Sequence, residues 1–304
     1  MTTRRSHQFS PSTALRRPSA PRTGRALAHV LVIAIALAIA VPVAWVLLAS
    51  FKQRGEFYGN PWALPKGLHV QNFVDAVIDA RMGQYFLMSV FVTTLGLVLV
   101  LAVSVPAAYV IARYEFRGRG LVEMALLAGL FVNVNYIVVP IFLMLVGWDR
   151  RLADVFPGGF FIDNPAVLSL VYAATSIPFT IYLLTAYFRT IPADYEEAAA
   201  LDGASRFRIM TRVMLPMARP ALTTVILFNF LAYWNDFIIA LTLLPGEGKT
   251  LQVGLLNLMT AQKAAADYGR LYAGMVLVIV PVLILYALIQ RRLIEGMAAG
   301  GVKG

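Results

Sequence analysis

The stretch EEAAALDGASRFRIMTRVMLPMARP, residues 196–220, carries three acids and four arginines between two long runs almost free of charge. Its upstream neighbour, IPADY at 191–195, gives the local reading its start. Pro192 ends the preceding apolar segment, and Asp194 followed by Glu197 has capping-box spacing. Ala198, Ala199, Ala200 and Leu201 favour helix, and Gly203 is placed to close it in a left-handed conformation. A second short helix, apolar at Phe207, Ile209, Met210 and Val213, is expected to run until Pro216 breaks it. The first helix is about ten residues, roughly 15 Å long. It is marginal alone and gains from packing against something. Its small alanines let another surface approach the backbone, while Glu196, Glu197 and Asp202 can meet basic partners at the rim. Local features alone fit an ordinary solvated loop laced with ion pairs equally well.

Outward from this hairpin the chain is greasy. Of 304 residues, 59% are apolar and 14% charged, and the mean hydropathy is +0.72. That is too little charge to coat a soluble domain of this length, so a membrane class comes first. There is no cysteine, which excludes a disulfide scaffold and thiol-ligated metal, and His7, His29 and His69 have no metal-ligand spacing. Six runs, roughly 27–49, 85–112, 124–148, 165–188, 221–244 and 271–290, are long enough to cross a bilayer. Their only Asp, Glu, Lys or Arg is Asp236. Each must be helical, because lipid offers no partner to a bare backbone. The expected fold is therefore an all-α integral membrane protein of six transmembrane helices.

The connecting segments decide orientation. The N-terminus, 113–120, 189–219 and 291–304 hold 17 of the 26 Lys and Arg residues, and the opposite set holds nine. Basic segments stay in the cytoplasm, so both termini and the 189–219 hairpin are expected inside. The net charge of +10 thus reads as membrane topology, with no nucleic-acid partner. Residues 1–26 form a basic, Arg-, Ser- and Pro-rich tail expected to be disordered and to meet anionic lipid. TRRSHQF is similar to a twin-arginine export signal, but the following apolar run is about 23 residues, too long for a signal core. An uncleaved first helix is expected.

Spacing adds more. Glu197-Ala198-Ala199, three residues, Gly203, nine residues, Val213, one residue and Leu215-Pro216 together resemble the EAA loop of binding-protein-dependent ABC importer permeases. Val213 stands where the family has Ile. The loop also lies between the fourth and fifth helices, as in that family. AAYVIARYEFRGRG (107–120), IVVPIFLM (137–144), YWNDF (233–237), TLQVGL (250–255) and GMAAGGVKG (296–304) resemble its carbohydrate branch, similar to the second permease of the maltose transporter. The resemblance covers about 70–304. It implies that this loop holds a coupling helix docking on a separate ATPase, with Glu196, Glu197, Ala198, Ala199, Leu201, Asp202, Gly203, Phe207, Leu215 and Pro216 as the candidate contact set.

No nucleotide site is legible in the chain. GEGKT at 246–250 is similar to a phosphate loop, yet Leu243 stands where the first glycine belongs, and the segment lies outside. Cofactors are expected to be absent here, with Mg-ATP bound by the partner ATPase. For the solute pathway the candidates are Asn133, Asn135, Tyr136, Ser176 with Thr175, Tyr233, Trp234, Asn235 and Asp236. Amides, carboxylates and aromatic faces suit sugars; equally, Asn, Ser and Thr glue helices together in lipid. Asp236 admits a structural or capping role, solute contact, or a proton relay.

The domain reading is a 1–26 tail, a first helix with external loop over 27–84, a permease core over 85–292 containing the 189–219 loop, and a 293–304 cytoplasmic tail. The resemblance implies a sugar importer subunit in a prokaryotic inner membrane. Its expected partners are a second permease, two ATPase subunits and an extracytoplasmic solute-binding protein. An importer of the same type for peptides, polyamines or phosphate derivatives, and a cation-coupled secondary carrier resting on Asp236, remain alternatives. No nucleophile–base pair or metal cluster supports a membrane enzyme.

Overall fold

A computed structural model describes residues 22–60, 62–265 and 267–300. The first 21 residues of the expected basic tail, and 301–304, lie outside the described residues. Among the described residues there is no strand. Backbone contacts divide the chain into two units, 1–45 and 46–304. The first unit holds most of α1 (Arg22–Ala49), whose Val30, Leu31, Val32 and Ile33 are all exposed and apolar. A helix apolar all round is built to face lipid or other apolar helices. It begins within the stretch read as tail, at Arg22 rather than after residue 26.

The second unit starts with α2 (Arg54–Gly59) and α3 (Gln71–Val77), then α4 (Met82–Arg113). Next come α5 (Arg119–Leu130), α6 (Val134–Arg151) and α7 (Pro165–Thr190). The hairpin forms α8 (Asp194–Leu201), α9 (Arg206–Ile209), a π-helical turn (Met210–Met214) and α10 (Leu215–Met217). The chain ends with α11 (Arg219–Trp234), α12 (Ile238–Leu243), α13 (Leu251–Ala265) and α14 (Tyr268–Gly300). Because α14 continues to Gly300, most of the expected 293–304 tail is helix.

Among the described residues, four helices are individually long and apolar enough to span a membrane, namely α1 from Ala28, α4, α7 and α14. Two bent pairs raise that to six. The expected single helix over 124–148 is broken, with α5 and α6 meeting at 103°. Hydropathy sees one run there, but Asn133 accepts a hydrogen bond from the Asn135 N–H and so starts a new helix inside it. The fifth expected span, 221–244, is also interrupted. α11 stops at Trp234, and Asp236 accepts the Ala240 N–H in the first turn of α12 at 3.0 Å. In addition, the supposed external loops contain helices, α2 and α3 in 51–84 and α13 in 245–270.

α4 and α7 make the most extensive helix pair among the described residues. Small residues permit it: Ser89, Thr93, Gly96, Ser104 and Ala108 are buried or face inward along α4. A Cβ on Gly96 would come 3.1 Å from the Tyr233 ring, so glycine there lets α11 close on α4. One apolar core gathers Val92, Leu168, Tyr172, Tyr233 and Leu243; a second, at the other end, gathers Tyr109, Leu184, Phe188, Met214 and Val225. Asn229 donates to the Thr180 hydroxyl at 3.0 Å, a buried bond between α11 and α7. Glu123 takes both Arg119 and Arg189, at 2.9 and 2.6 Å, and ties α5 to the end of α7.

Polar contacts order the connecting loops as well. The Asp149 carboxylate accepts the backbone N–H groups of Phe160, Phe161 and Ile162. The Glu56 carboxylate accepts those of Gln53 and Lys66. The bond from Lys66 is the chief reason its carboxyl lies below the ordinary glutamate value. The GEGKT segment is a polar turn in which Gly246 donates to Asp163 and Glu247 pairs with Arg81.

Candidate functional site

The hairpin is built from its backbone outward. Ile191 precedes a proline, which disfavours helical backbone, and it is extended (φ −77°, ψ 128°), so α7 ends there. The expected capping box does not form. Asp194 is already inside α8, the cap position falls on Ala193, and that residue's carbonyl receives the Glu196 and Glu197 N–H groups. Asp194, Glu196 and Glu197 instead fill the first turn, where acids complement the helix dipole.

At the other end the reading of Gly203 is met. Its φ is +77°, in the left-handed region. Gly203 N–H bonds Ala200 C=O, and Ala204 N–H reaches back to Ala199 C=O, both at 3.0 Å. Those two bonds form a Schellman motif, which satisfies carbonyls the helix would leave open. Ser205 then caps α9 by accepting the Arg208 N–H. Pro216 does not break the second helix as expected. A π turn precedes it, with Leu215 N–H bonded to Met210 C=O, so the hydrogen-bond ladder has already slipped where proline lacks its donor. The bend comes two residues later, near Ala218, at 77° between 206–217 and 219–234.

The two faces of α8 differ. On one, Ala199 packs against the core and Glu196 turns inward, contrary to its expected place at the rim. Arg113 Nε lies 2.6 Å from Glu196 Oε1, and the Tyr109 hydroxyl donates to Glu196 Oε2 at 3.0 Å. The Arg113 Nη2 also donates to the Ile191 carbonyl at 2.6 Å. On the other face Glu197, Ala198 and Asp202 are exposed, Leu201 is 89% exposed, and Phe207 on α9 is 72% exposed. Leu215 and Pro216 are half-buried and set back from this surface. Beside it lies a hollow of about 580 Å³ lined by Tyr109, Tyr114, Phe116, Arg206, Phe207 and Met210. The Arg206 guanidinium lies over the Tyr114 ring, 5.2 Å from its centre. Tyr109 and Arg113 were not singled out from sequence. Their signal was there, since they stand one turn apart on one face of a single helix.

The pathway candidates separate into two groups. Asn133, Asn135 and Asn235 are exposed, and Tyr136 is 82% exposed, but Asn133 Oδ1 already accepts the Asn135 N–H and the Asn235 amide donates to the Leu231 carbonyl at 2.9 Å. Ser176 and Thr175 are half-buried on α7, and the Thr175 hydroxyl bonds Val171 C=O. Tyr233 and Trp234 are instead buried in helix packing. Tyr233 stacks on Tyr172 with ring centres 5.0 Å apart, and the Trp234 indole donates to Val278 C=O. Asp236 is held by the Tyr172 hydroxyl at 2.7 Å and by the Ala240 N–H, which is the capping role.

The sequence pattern of the binding-protein-dependent transport system inner membrane component family matches residues 104–298. The chain belongs to that family. Its span covers the Arg113–Glu196 pair, α8 and the exposed face just described. Among individual relatives, the diacetylchitobiose uptake system permease protein NgcG of Streptomyces coelicolor is 39% identical over 283 residues, 93% of this chain and 90% of that one. The trehalose/maltose transport system permease protein MalG of Thermococcus litoralis is 28% identical, over 90% of this chain and 94% of that one. A solved bacterial ABC transporter involved in the import of the acidic polysaccharide alginate has a chain of similar fold. Its TM-score is 0.73 at 25% identity, covering 90% of this chain and 99% of that one. The chain is thus a multi-pass membrane permease, and its work is transport.

Proposed function

We propose that this permease is one transmembrane half of an ATP-driven carbohydrate importer, with both termini cytoplasmic and α8 docked on a separate ATPase subunit. The observation that carries the docking assignment is the two-sided build of α8. One side is anchored to the bundle, while Ala198, Leu201 and Phe207 stand exposed on the other. Exposed apolar side chains on a short, braced helix favour a protein partner. Mg-ATP is bound by that partner. A second permease completes the pathway, a second ATPase completes the motor, and an extracytoplasmic binding protein delivers solute. The carbohydrate assignment rests on the relatives, two of which are named for diacetylchitobiose and for trehalose/maltose uptake.

Nucleotide-driven closure of the ATPase pair moves α8, and the bundle tilts between inward- and outward-facing states as a rigid-body switch. The test is vesicle uptake of a radiolabelled sugar, with the sugar chosen by ligand screening of the cognate binding protein. Uptake requires ATP and the ATPase subunits, and Ala198→Arg abolishes it together with ATPase co-purification. Uptake without ATPase, or normal docking of Ala198→Arg, overturns the proposal.

A further inference from the structure

We infer that Arg113 and Tyr109 are positioning residues that fasten the docking helix to α4, so that α8 and the end of α4 move as one body. This rests on the reading of α8 as the docking helix. The chain links α8 directly to α7 through Ile191 and onward to α11, but α4 is separated from it by three helices in sequence. Even so, Glu196 is the side chain of α8 held most closely, and α4 holds it. The Arg113 and Glu196 side chains are only 13% and 17% exposed. The Arg113 guanidinium serves two points: Nε is ion-paired with Glu196 Oε1, and Nη2 donates to the Ile191 carbonyl that ends α7. Tyr109 grips the second carboxylate oxygen, and its ring is set edge-on against Phe188 of α7 at 5.9 Å and against Tyr114 at 5.8 Å.

The consequence is mechanical. α4 packs against α3, α7, α11, α13 and α14, whereas α7 meets α4, α5, α11 and α12, and α11 meets α4, α7, α10 and α14. A stroke delivered to α8 enters α4 through this clamp. If covalent continuity alone conveyed the stroke, the clamp would be dispensable for coupling.

The experiment uses the complete transporter in proteoliposomes. ATPase co-purification, ATP hydrolysis and solute uptake per ATP are measured for Arg113→Glu, Glu196→Arg, the double reversal, Arg113→Lys and Tyr109→Phe. Each single reversal keeps the ATPase and hydrolyses ATP, while uptake per ATP falls at least about tenfold, because a buried charge has lost its partner. The double reversal regains about half of wild-type coupling, since the pair is restored in mirror image. Unchanged uptake per ATP in the single reversals, or a double reversal no better than either, overturns the inference. Should the reversals fail to assemble, Tyr109→Phe and Arg113→Lys decide: a fall of about threefold in uptake per ATP at normal assembly supports the clamp, and no fall overturns it. Failure of the underlying docking assignment shows up elsewhere, as an Ala198→Arg chain that still retains its ATPase.

Discussion

Replacing Gly203 isolates the backbone contribution of the turn that ends α8. With φ at +77°, the position disfavours L-residues, and nothing lies within 4 Å of a Cβ built there. Sterics with neighbouring residues therefore drop out, and the cost is conformational. An ordinary L-residue in the left-handed region costs about 1–2 kcal/mol, with alanine at the low end and β-branched valine at or above the high end. Asparagine visits this region far more readily and costs a few tenths of a kcal/mol. If docking needs the intact turn, each 1.4 kcal/mol lowers apparent affinity about tenfold. Gly203→Ala and Gly203→Val should weaken ATPase binding about fivefold and about thirtyfold, and Gly203→Asn by less than about threefold. The assay titrates purified ATPase subunit onto nanodisc-embedded permease and reads half-saturation. Asparagine is larger than alanine, so the expected order runs against side-chain size. An order that follows size, or four proteins that bind alike, refutes the backbone argument.

Two other predictions concern the opposite parts of the molecule. Asp236→Ala removes the acceptor for Ala240 N–H and leaves the Tyr172 hydroxyl buried without its partner, costing about 2 kcal/mol. It lowers the melting temperature in detergent, whereas Asp236→Asn keeps an acceptor, melts closer to wild type and still supports ATP-driven uptake; loss of uptake in a well-folded Asp236→Asn would favour a proton relay. For Glu56, the ionised form is the one held by the loop, and the backbone N–H of Lys66 keeps its carboxyl below the ordinary glutamate value. Its hold on the Gln53 and Lys66 backbone is therefore fully present above the ordinary glutamate value and lost as pH falls through the lowered one. Protection factors of the Gln53 and Lys66 amides, corrected for the intrinsic slowing of exchange in acid, should fall over the same acid range in the wild type, and at neutral pH in Glu56→Gln.

Much of the site was legible because its signals are local. Gly203 needed only an apolar helix before it to be read as a left-handed stop, and Pro192 marked the end of α7 by restricting one residue. The orientation of Glu196 was not legible, since its partner Tyr109 stands 87 residues away and only packing of α4 on α7 brings them together. Spans were readable as apolar length, but hydropathy has no sense of direction. It therefore passed over the 103° turn at Asn133, where one amide replaces the signal that proline or charge usually gives. α13 was missed for the converse reason. At 15 residues it is too short for a span, and its setting between two polar turns made a loop the default reading. The Tyr233–Tyr172 stack shows a third limit, because an aromatic ring in a membrane helix has the same sequence signature whether it lines a channel or fills a core.

The wide turn at Met210–Met214 sets the phase between the two ends of the hairpin. An ordinary helix advances about 100° per residue, so the one additional residue taken up there rotates everything downstream by roughly that angle about the helix axis. Side chains counted forward from Arg206 by a 3.6-residue rhythm consequently land on the wrong flank beyond Met210. Deleting a single residue inside 210–214 would leave α8 and α11 chemically intact and change only their angular register, like a gear advanced by one tooth.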